Sequence, residues 1–322
     1  MKAVVLLRQP DGRGKLRLVR DHEVPHPTPG EVRIRTTLAG ICNTDLEIVQ
    51  GYAGFHGIMG HEFVGIVDQA EDMALVGQRV VGEINAPCGA CPTCRAGRPT
   101  HCPERTALGI RGRDGVLAES FCLPASALHL VPQGIPDETA VFTEPLAAAC
   151  EVLQQVHVRP TDRVVVLGDG KLGLLVAQVL ALTGCNLRIV GRHREKLAIV
   201  AKRGLATQLG DKEAAGSADL VVECTGRPEG FQAARRMLRP QGTLVLKSTY
   251  QGLVEADLAG VVVDEVQIVG SRCGPFPAAL RLLVQGLVDV TSLIEAEYPL
   301  DEALAAFEHA GRRGALKVLV RP

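Results

Sequence analysis

The strongest constraint in the chain is a fifteen-residue segment, CGACPTCRAGRPTHC, which sets Cys88, Cys91, Cys94 and Cys102 in the pattern C-x2-C-x2-C-x7-C. Four thiolates at such short spacings satisfy a tetrahedral zinc ion with no open position, which defines a structural site. Gly89, Pro92, Gly97 and Pro99 supply the turns that let a backbone wrap an ion. Buried cysteines that merely fill a core do not cluster among turn residues in so little apolar sequence. Four cysteines also hold iron–sulfur clusters, a second and weaker reading. His101 reads as a loop residue rather than a substitute ligand.

The remaining totals bound the context. The 322 residues suffice for two domains. The net charge of −1 gives no electrostatic footprint for nucleic acid or an anionic membrane, and with 3% aromatic residues and no Trp a base-stacking platform is not expected. The N-terminal apolar run is too short for a signal core, and no segment approaches the roughly 18 apolar residues of a membrane span. A cytoplasmic protein is therefore expected. Its ten cysteines are then explained by metal, catalysis or burial before disulfides.

Texture divides the chain. Residues 1–146 carry short strand-like runs (VRIRTTLAG, FVGIVDQA, QRVVGEI, SFCLPASALHLV) between turns, as in an irregular, mostly β domain. From about residue 147 strands and helices alternate: VVVLG, the apolar helix ending at Gly184, LRIVG, REKLAIVAKRG, DLVVECTG, GTLVLKS and VQIVGS. That order predicts a doubly wound parallel sheet over 147–275. The tail, 276–322, predicts two helices and a strand that returns to the first domain.

Three separated segments carry further ligand-type side chains: Cys42 in GICNTD, His61 and Glu62 in GHEFVG, and Glu144 in EPLA. Each alone is weak. Together they offer a thiolate, an imidazole and carboxylates, a mixed set that suits a catalytic zinc with one position left for a ligand. In the second domain, Gly168, Gly170, Lys171, Leu172 and Gly173 form G-x-G-x-x-G directly after a strand and opening a helix, the context a dinucleotide pyrophosphate requires.

GICNTD, GHEFVG, the cysteine quartet and EPLA, in that order and ahead of a dinucleotide fold, resemble the zinc-dependent medium-chain dehydrogenases, over essentially the whole chain. Glu144 in EPL resembles the polyol and threonine dehydrogenase branch. The resemblance implies an α/β fold: a GroES-like catalytic domain (1–146 and 276–322) and a Rossmann cofactor domain (147–275). It implies two zinc ions per chain, with Cys42 and His61 as ligands of the catalytic one and Glu62 and Glu144 as direct, alternating or water-bridged ligands. It implies that Thr44 contacts the substrate oxygen and starts a proton relay, and that Asp45 orients His61. It also implies a homodimer or homotetramer. The chain departs from the family pattern at Glu47, where many members carry a histidine that ends the relay; Glu47 or bulk water takes that step. Cys150 reads as a buried helix residue, and Tyr52, Phe55 and His56 as pocket lining, core or loop residues.

NAD-binding folds usually place an acid about 20 residues after the glycine loop to bond the ribose 2′-hydroxyl. Here Gly191 holds that position, followed by Arg192, His193 and Arg194. Glycine leaves room for a 2′-phosphate and arginine holds one, so NADP(H) is expected over NAD(H). Cys224, Thr225, Gly226, Ser271 and Arg272 follow later strands, where the nicotinamide half belongs. The expected function is hydride transfer between an alcohol, polar and secondary by the Glu144 analogy, and NAD(P)⁺, or reduction of the matching carbonyl. The rivals are a zinc-independent double-bond or quinone reductase of the same fold and a non-catalytic dinucleotide-binding protein.

Overall fold

A computed structural model describes residues 1–9, 12–210, 215–250 and 253–322. Two compact units emerge: Met1–Glu144 with Ala279–Leu287 and Ile294–Pro322, and Pro145–Ala278 with Val288–Leu293.

The first unit is built on alternation. In the strand Glu31–Gly40, Val32, Ile34, Thr36 and Leu38 point inward while Arg33 and Arg35 point away, the period-two pattern of a half-buried strand. Arg33 then reaches Asp68 on the adjacent strand Glu62–Gln69 at 2.9 Å. The strand order is Leu128–Leu130, Arg79–Gly82, Glu62–Gln69, Glu31–Gly40, Lys317–Arg321, Ile294–Pro299, with Ser120–Pro124 also paired to Glu31–Gly40. Phe63 and Phe121 meet edge to face in the core, ring centroids 4.7 Å apart. Burying each such large side chain contributes roughly 1.5–3 kcal/mol. The tail does return: Leu319 pairs with Gly40 and Val320 with Ala39, which carries Lys317 to the strand that precedes Cys42. A small sheet of Asn85–Ala86, Thr106–Leu108 and Gly112–Arg113 brackets the cysteine loop.

The second unit is a six-stranded parallel sheet ordered Ala206–Leu209, Asn186–Gly191, Arg163–Leu167, Ala218–Glu223, Leu238–Leu246, Gln267–Gly270. Numbered within the unit this is 3-2-1-4-5-6, the doubly wound dinucleotide-binding order. The central strand, RVVVL, is buried from Val164 to Leu167, as expected when helices cover both faces.

The structure adds elements the sequence patterns leave out: the strands Ala206–Leu209 and Ile294–Pro299, and the helices Pro228–Met237 and Leu258–Val263. The first strand, ATQL, is half exposed at a sheet edge and lacks an apolar run. Residues 276–322 do not all belong to the first unit. Val288–Leu293 joins the second, where the Gln178 side chain donates to Asp289 O at 3.0 Å and accepts from Asp289 N at 2.8 Å.

Candidate metal centres and cofactor site

The cysteine loop closes on itself. Sulfur–sulfur separations are 3.5 Å for Cys91–Cys94, 3.7 Å for Cys91–Cys102 and 3.6 Å for Cys88–Cys102. A tetrahedron of thiolates about 2.3 Å from zinc has edges of roughly 3.8 Å, so the quartet fits this ion. Cys91 caps the short helix Pro92–Arg95, its sulfur accepting the Cys94 N–H at 3.5 Å, and Cys88 Sγ accepts the Cys91 N–H at 3.4 Å. Desolvation and the neighbouring sulfurs push the Cys94 thiol up to about 12. Four thiols this close ionise together when a cation compensates them.

The second group is assembled from two segments joined by the sheet. Cys42 caps the helix Asn43–Val49, and His61 and Glu62 stand at the start of the strand Glu62–Gln69, paired through Glu62–Gly40 to the strand leading into Cys42. The Cys42 sulfur, a His61 ring nitrogen and a Glu62 carboxylate oxygen all lie within 4.8 Å of one another. His61, Glu62 and Asp45 are buried. Among the described residues Glu62 Oε1 has no hydrogen-bond partner, and an orphaned buried carboxylate oxygen beside a thiol and an imidazole is what a cation would satisfy. The donor set fits zinc.

Asp45 does two jobs. Its Oδ2 accepts the Cys42 N–H at 2.8 Å, and its Oδ1 faces His61 Nδ1 at 3.3 Å. Burial alone would lower the imidazole, but Asp45 and then Cys42 outweigh it and hold it well above its ordinary value. Thr44 Oγ1 sits 3.7 Å from the Cys42 sulfur. Glu47 follows one turn later on the same helix, three residues from Thr44 and therefore beside it. Glu144, on the helix Thr143–Gln155, lies outside the compact group. Phe55 is a core residue, packed with Met59 and Leu117, while His56 is exposed.

Sequence reasoning missed Lys317. Its side chain is 2% exposed and its ammonium is ion-paired with Glu62, whose side chain is 1% exposed. It also lies 3.5 Å from Ile41 O and 5.7 Å from the Phe142 ring centre. Burial opposes its charge, but Glu62, with Cys42 and Glu144, holds the ammonium above its ordinary value. The only signal was a lysine in the apolar strand ALKVLV, which by alternation alone could face either way.

In the second unit the glycine loop is sterically enforced. Gly168 has φ of 121°, and a Cβ there would meet Cys224 O at 2.6 Å; at Gly173 it would meet Gly168 O at 2.0 Å. Gly170, capping the helix Lys171–Ala181, has open space instead, as a site approached by pyrophosphate needs. At the neighbouring strand end, Glu223 accepts from Thr225 N at 2.7 Å and Thr225 Oγ1 at 2.5 Å, and Gly226 N donates to Ser248 Oγ at 2.7 Å. Burial, then Glu223, raises the Cys224 thiol, keeping it neutral. Lys247 ties the loops together, donating to Ala148 O, Arg272 O and Ser271 Oγ at 2.7, 2.9 and 3.1 Å.

The space beside Gly191 is not open, because the Asp169 carboxylate fills it: a Cβ on Gly191 would fall 2.4 Å from Asp169 Oδ2.

A two-unit chain with a four-thiolate loop, a Cys–His–Glu group and a 3-2-1-4-5-6 nucleotide fold defines a zinc-binding dehydrogenase. Comparison with known proteins agrees: residues 28–133 match the alcohol dehydrogenase GroES-like domain and residues 172–285 the zinc-binding dehydrogenase domain. A sorbitol dehydrogenase of Halalkalibacterium halodurans is 31% identical, with 93% of this chain and 94% of that protein covered. A zinc-binding dehydrogenase of Sinorhizobium meliloti 1021 bound to NADP superposes with a TM-score of 0.87 at 29% identity, over 100% of this chain and 99% of that one. An alcohol dehydrogenase from Escherichia coli CFT073 complexed with NADH superposes equally well, at 26% identity and the same coverage. The chain belongs to the zinc-dependent medium-chain dehydrogenase family, which carries out alcohol and carbonyl oxidoreduction with a nicotinamide cofactor.

Proposed function

We propose that this chain is a dehydrogenase that uses two zinc ions and NADP(H) in preference to NAD(H) to interconvert a polar secondary alcohol, such as a polyol or sugar derivative, with its ketone. The observation that carries the reading is the buried Cys42–His61–Glu62 group with its orphaned carboxylate oxygen. The sorbitol dehydrogenase relative supports the polyol class, and Glu144 supplies the carboxylate in place of a further thiolate.

When bound, zinc supplies Lewis acidity toward the alcohol oxygen and the nicotinamide accepts the hydride. The chain's own residues do the rest. Cys42 and His61 would hold the metal, with Glu62 and Glu144 as direct, alternating or water-bridged ligands that leave one position for substrate, and Asp45 fixes the orientation of His61. Thr44 takes the alcohol proton through its hydroxyl, which both accepts and donates, and passes it toward Glu47 or water. Cys88, Cys91, Cys94 and Cys102 would brace their loop around the second ion. Gly168–Gly173 admit the pyrophosphate to the helix N-terminus; Cys224, Thr225, Gly226, Ser271 and Arg272 line the nicotinamide end; Arg192 and His193 meet the 2′-phosphate.

Pairing of two chains through the second unit is supported by its edge strand Gln267–Gly270, beside which Leu258, Val262 and Val263 are 65%, 74% and 80% exposed. Among the described residues no helix is long and apolar enough to cross a membrane, and a cytoplasmic site of action is part of the proposal. The test is a polyol and ketose screen with both cofactors, alongside metal analysis. Turnover with two zincs per chain supports the reading. Full activity with one zinc, turnover of only simple primary alcohols, or a higher kcat/KM with NAD⁺ refutes its respective parts.

A further inference from the structure

The residue between the first two glycines of the loop is Asp169, and its side chain is only 9% exposed. Its Oδ2 accepts two successive backbone N–H groups, from Arg192 at 2.7 Å and His193 at 2.6 Å. The His193 ring turns back as well, with Nδ1 3.1 Å from Oδ1 and 3.2 Å from Oδ2. His193 is the N-cap residue of the helix Arg194–Ala201, yet its side chain makes no capping bond and serves Asp169 instead. Burial acts to raise the Asp169 carboxyl, but the His193 and Arg192 N–H groups and the imidazole outweigh it and hold it below the usual carboxylate range.

This carboxylate occupies the volume that a strand-end side chain at 191 would fill, which is why only glycine fits there. In this fold that volume adjoins the adenine ribose. Two roles are open to an acid so placed: it accepts from the ribose hydroxyls, or it shapes the turn. Three donors already converge on its two oxygens, and little of it reaches solvent, so most of its accepting capacity is spent inside the protein. The turn it shapes presents Arg192, exposed, and His193, half-buried, with Nε2 as the ring edge that Asp169 leaves available.

We propose that Asp169 is a positioning residue for cofactor choice: by pinning the Gly191–His193 turn and the His193 ring, it aims Arg192 and His193 at the 2′-phosphate of NADP(H). This rests on the NADP(H) reading above. It adds to the selectivity a carboxylate in the glycine loop that never touches the phosphate, where sequence reasoning assigned it to room at Gly191 and the charge of Arg192.

The test is direct binding of adenosine 2′,5′-bisphosphate and of 5′-AMP to the full-length protein by calorimetry. These probes isolate the ribose end from catalysis. Wild type is expected to prefer the bisphosphate. Asp169→Ala should weaken the bisphosphate about tenfold or more, the loss expected when charge-assisted bonds that hold a turn are removed, and change 5′-AMP less than about threefold. Asp169→Asn keeps an oxygen that can accept both N–H groups and should restore the preference to within about threefold. Gly191→Ala, whose methyl displaces the carboxylate, should reproduce the Asp169→Ala pattern and stands in for it if that variant does not fold.

Tighter bisphosphate binding in Asp169→Asn would mean the carboxylate opposes the phosphate, and overturns the proposal. Equal weakening of both probes in Asp169→Ala would make Asp169 a general ribose or loop residue, and also overturns it. A wild type that prefers the bisphosphate, with Asp169→Ala and Gly191→Ala retaining that preference, sinks the proposal and leaves the NADP(H) reading standing. A wild type with no such preference sinks the reading first and the proposal with it.

Discussion

Replacing Lys317 by methionine tests the least expected feature of the metal-binding unit. The substitution keeps the length and apolar stem of the side chain and deletes one charge. What remains is Glu62, 1% exposed, with its ammonium partner gone. Breaking a buried pair by removing one partner costs about 3–5 kcal/mol, because the surviving charge is uncompensated. The weak contacts to Ile41 O and the Phe142 ring add little beside that. For a unit of this size each kcal/mol shifts the melting temperature by roughly 2–4 °C, so Lys317→Met should melt about 6–20 °C lower. Scanning calorimetry of the metal-free protein reads this directly, because a bound cation would itself compensate Glu62. Adding Glu62→Gln in the same chain removes the orphaned charge and should recover most of the loss, a strongly non-additive cycle. A loss below about 1 kcal/mol, or a double variant as unstable as the sum of the singles, would refute the claim that Lys317 exists to compensate Glu62.

Other outcomes follow from the same geometry. Thr44→Ala should lower kcat by about 10²–10⁴ with zinc content unchanged, while Thr44→Ser stays near wild type, judged by steady-state rates against metal analysis; an active Thr44→Ala ends the relay assignment. Cys102→Ser, at the buried member of the quartet, should drop zinc from two to one per chain and destabilise the first unit, read by metal analysis and melting. Burial, and secondarily Glu31, pushes the Cys122 thiol up to about 11, so it stays protonated until the pH rises past that value. At pH 8 about one in a thousand copies is thiolate against roughly a quarter for an ordinary cysteine, so alkylation mapped by mass spectrometry should be about two orders of magnitude slower there, and faster in Glu31→Gln. Rapid labelling of Cys122 at pH 8 would contradict this.

Much of the site was legible because its chemistry is local. The quartet sits in fifteen consecutive residues, and Gly173 answers to a steric demand within its own strand-to-helix turn, where a Cβ would meet Gly168 O. Strands and helices with clear periodicity, such as RVVVL and LGLLVAQVLA, declared themselves. ATQL at a sheet edge and the polar-rich helix PEGFQAARRM did not, since each takes its form from the neighbours it packs against.

By itself, then, the sequence determined the class of protein, the closed metal loop and the glycine loop, features in which spacing along the chain is also spacing in space. Tertiary structure alone decided which groups Glu62 and Gly191 meet. Lys317 reaches Glu62 across 255 residues, because the last strand pairs with the strand before Cys42. Asp169 reaches the Arg192 and His193 amides because parallel pairing sets the strand Asn186–Gly191 beside Arg163–Leu167. A buried charge must find its partner wherever the fold supplies one, and no spacing rule in a single sequence encodes that meeting.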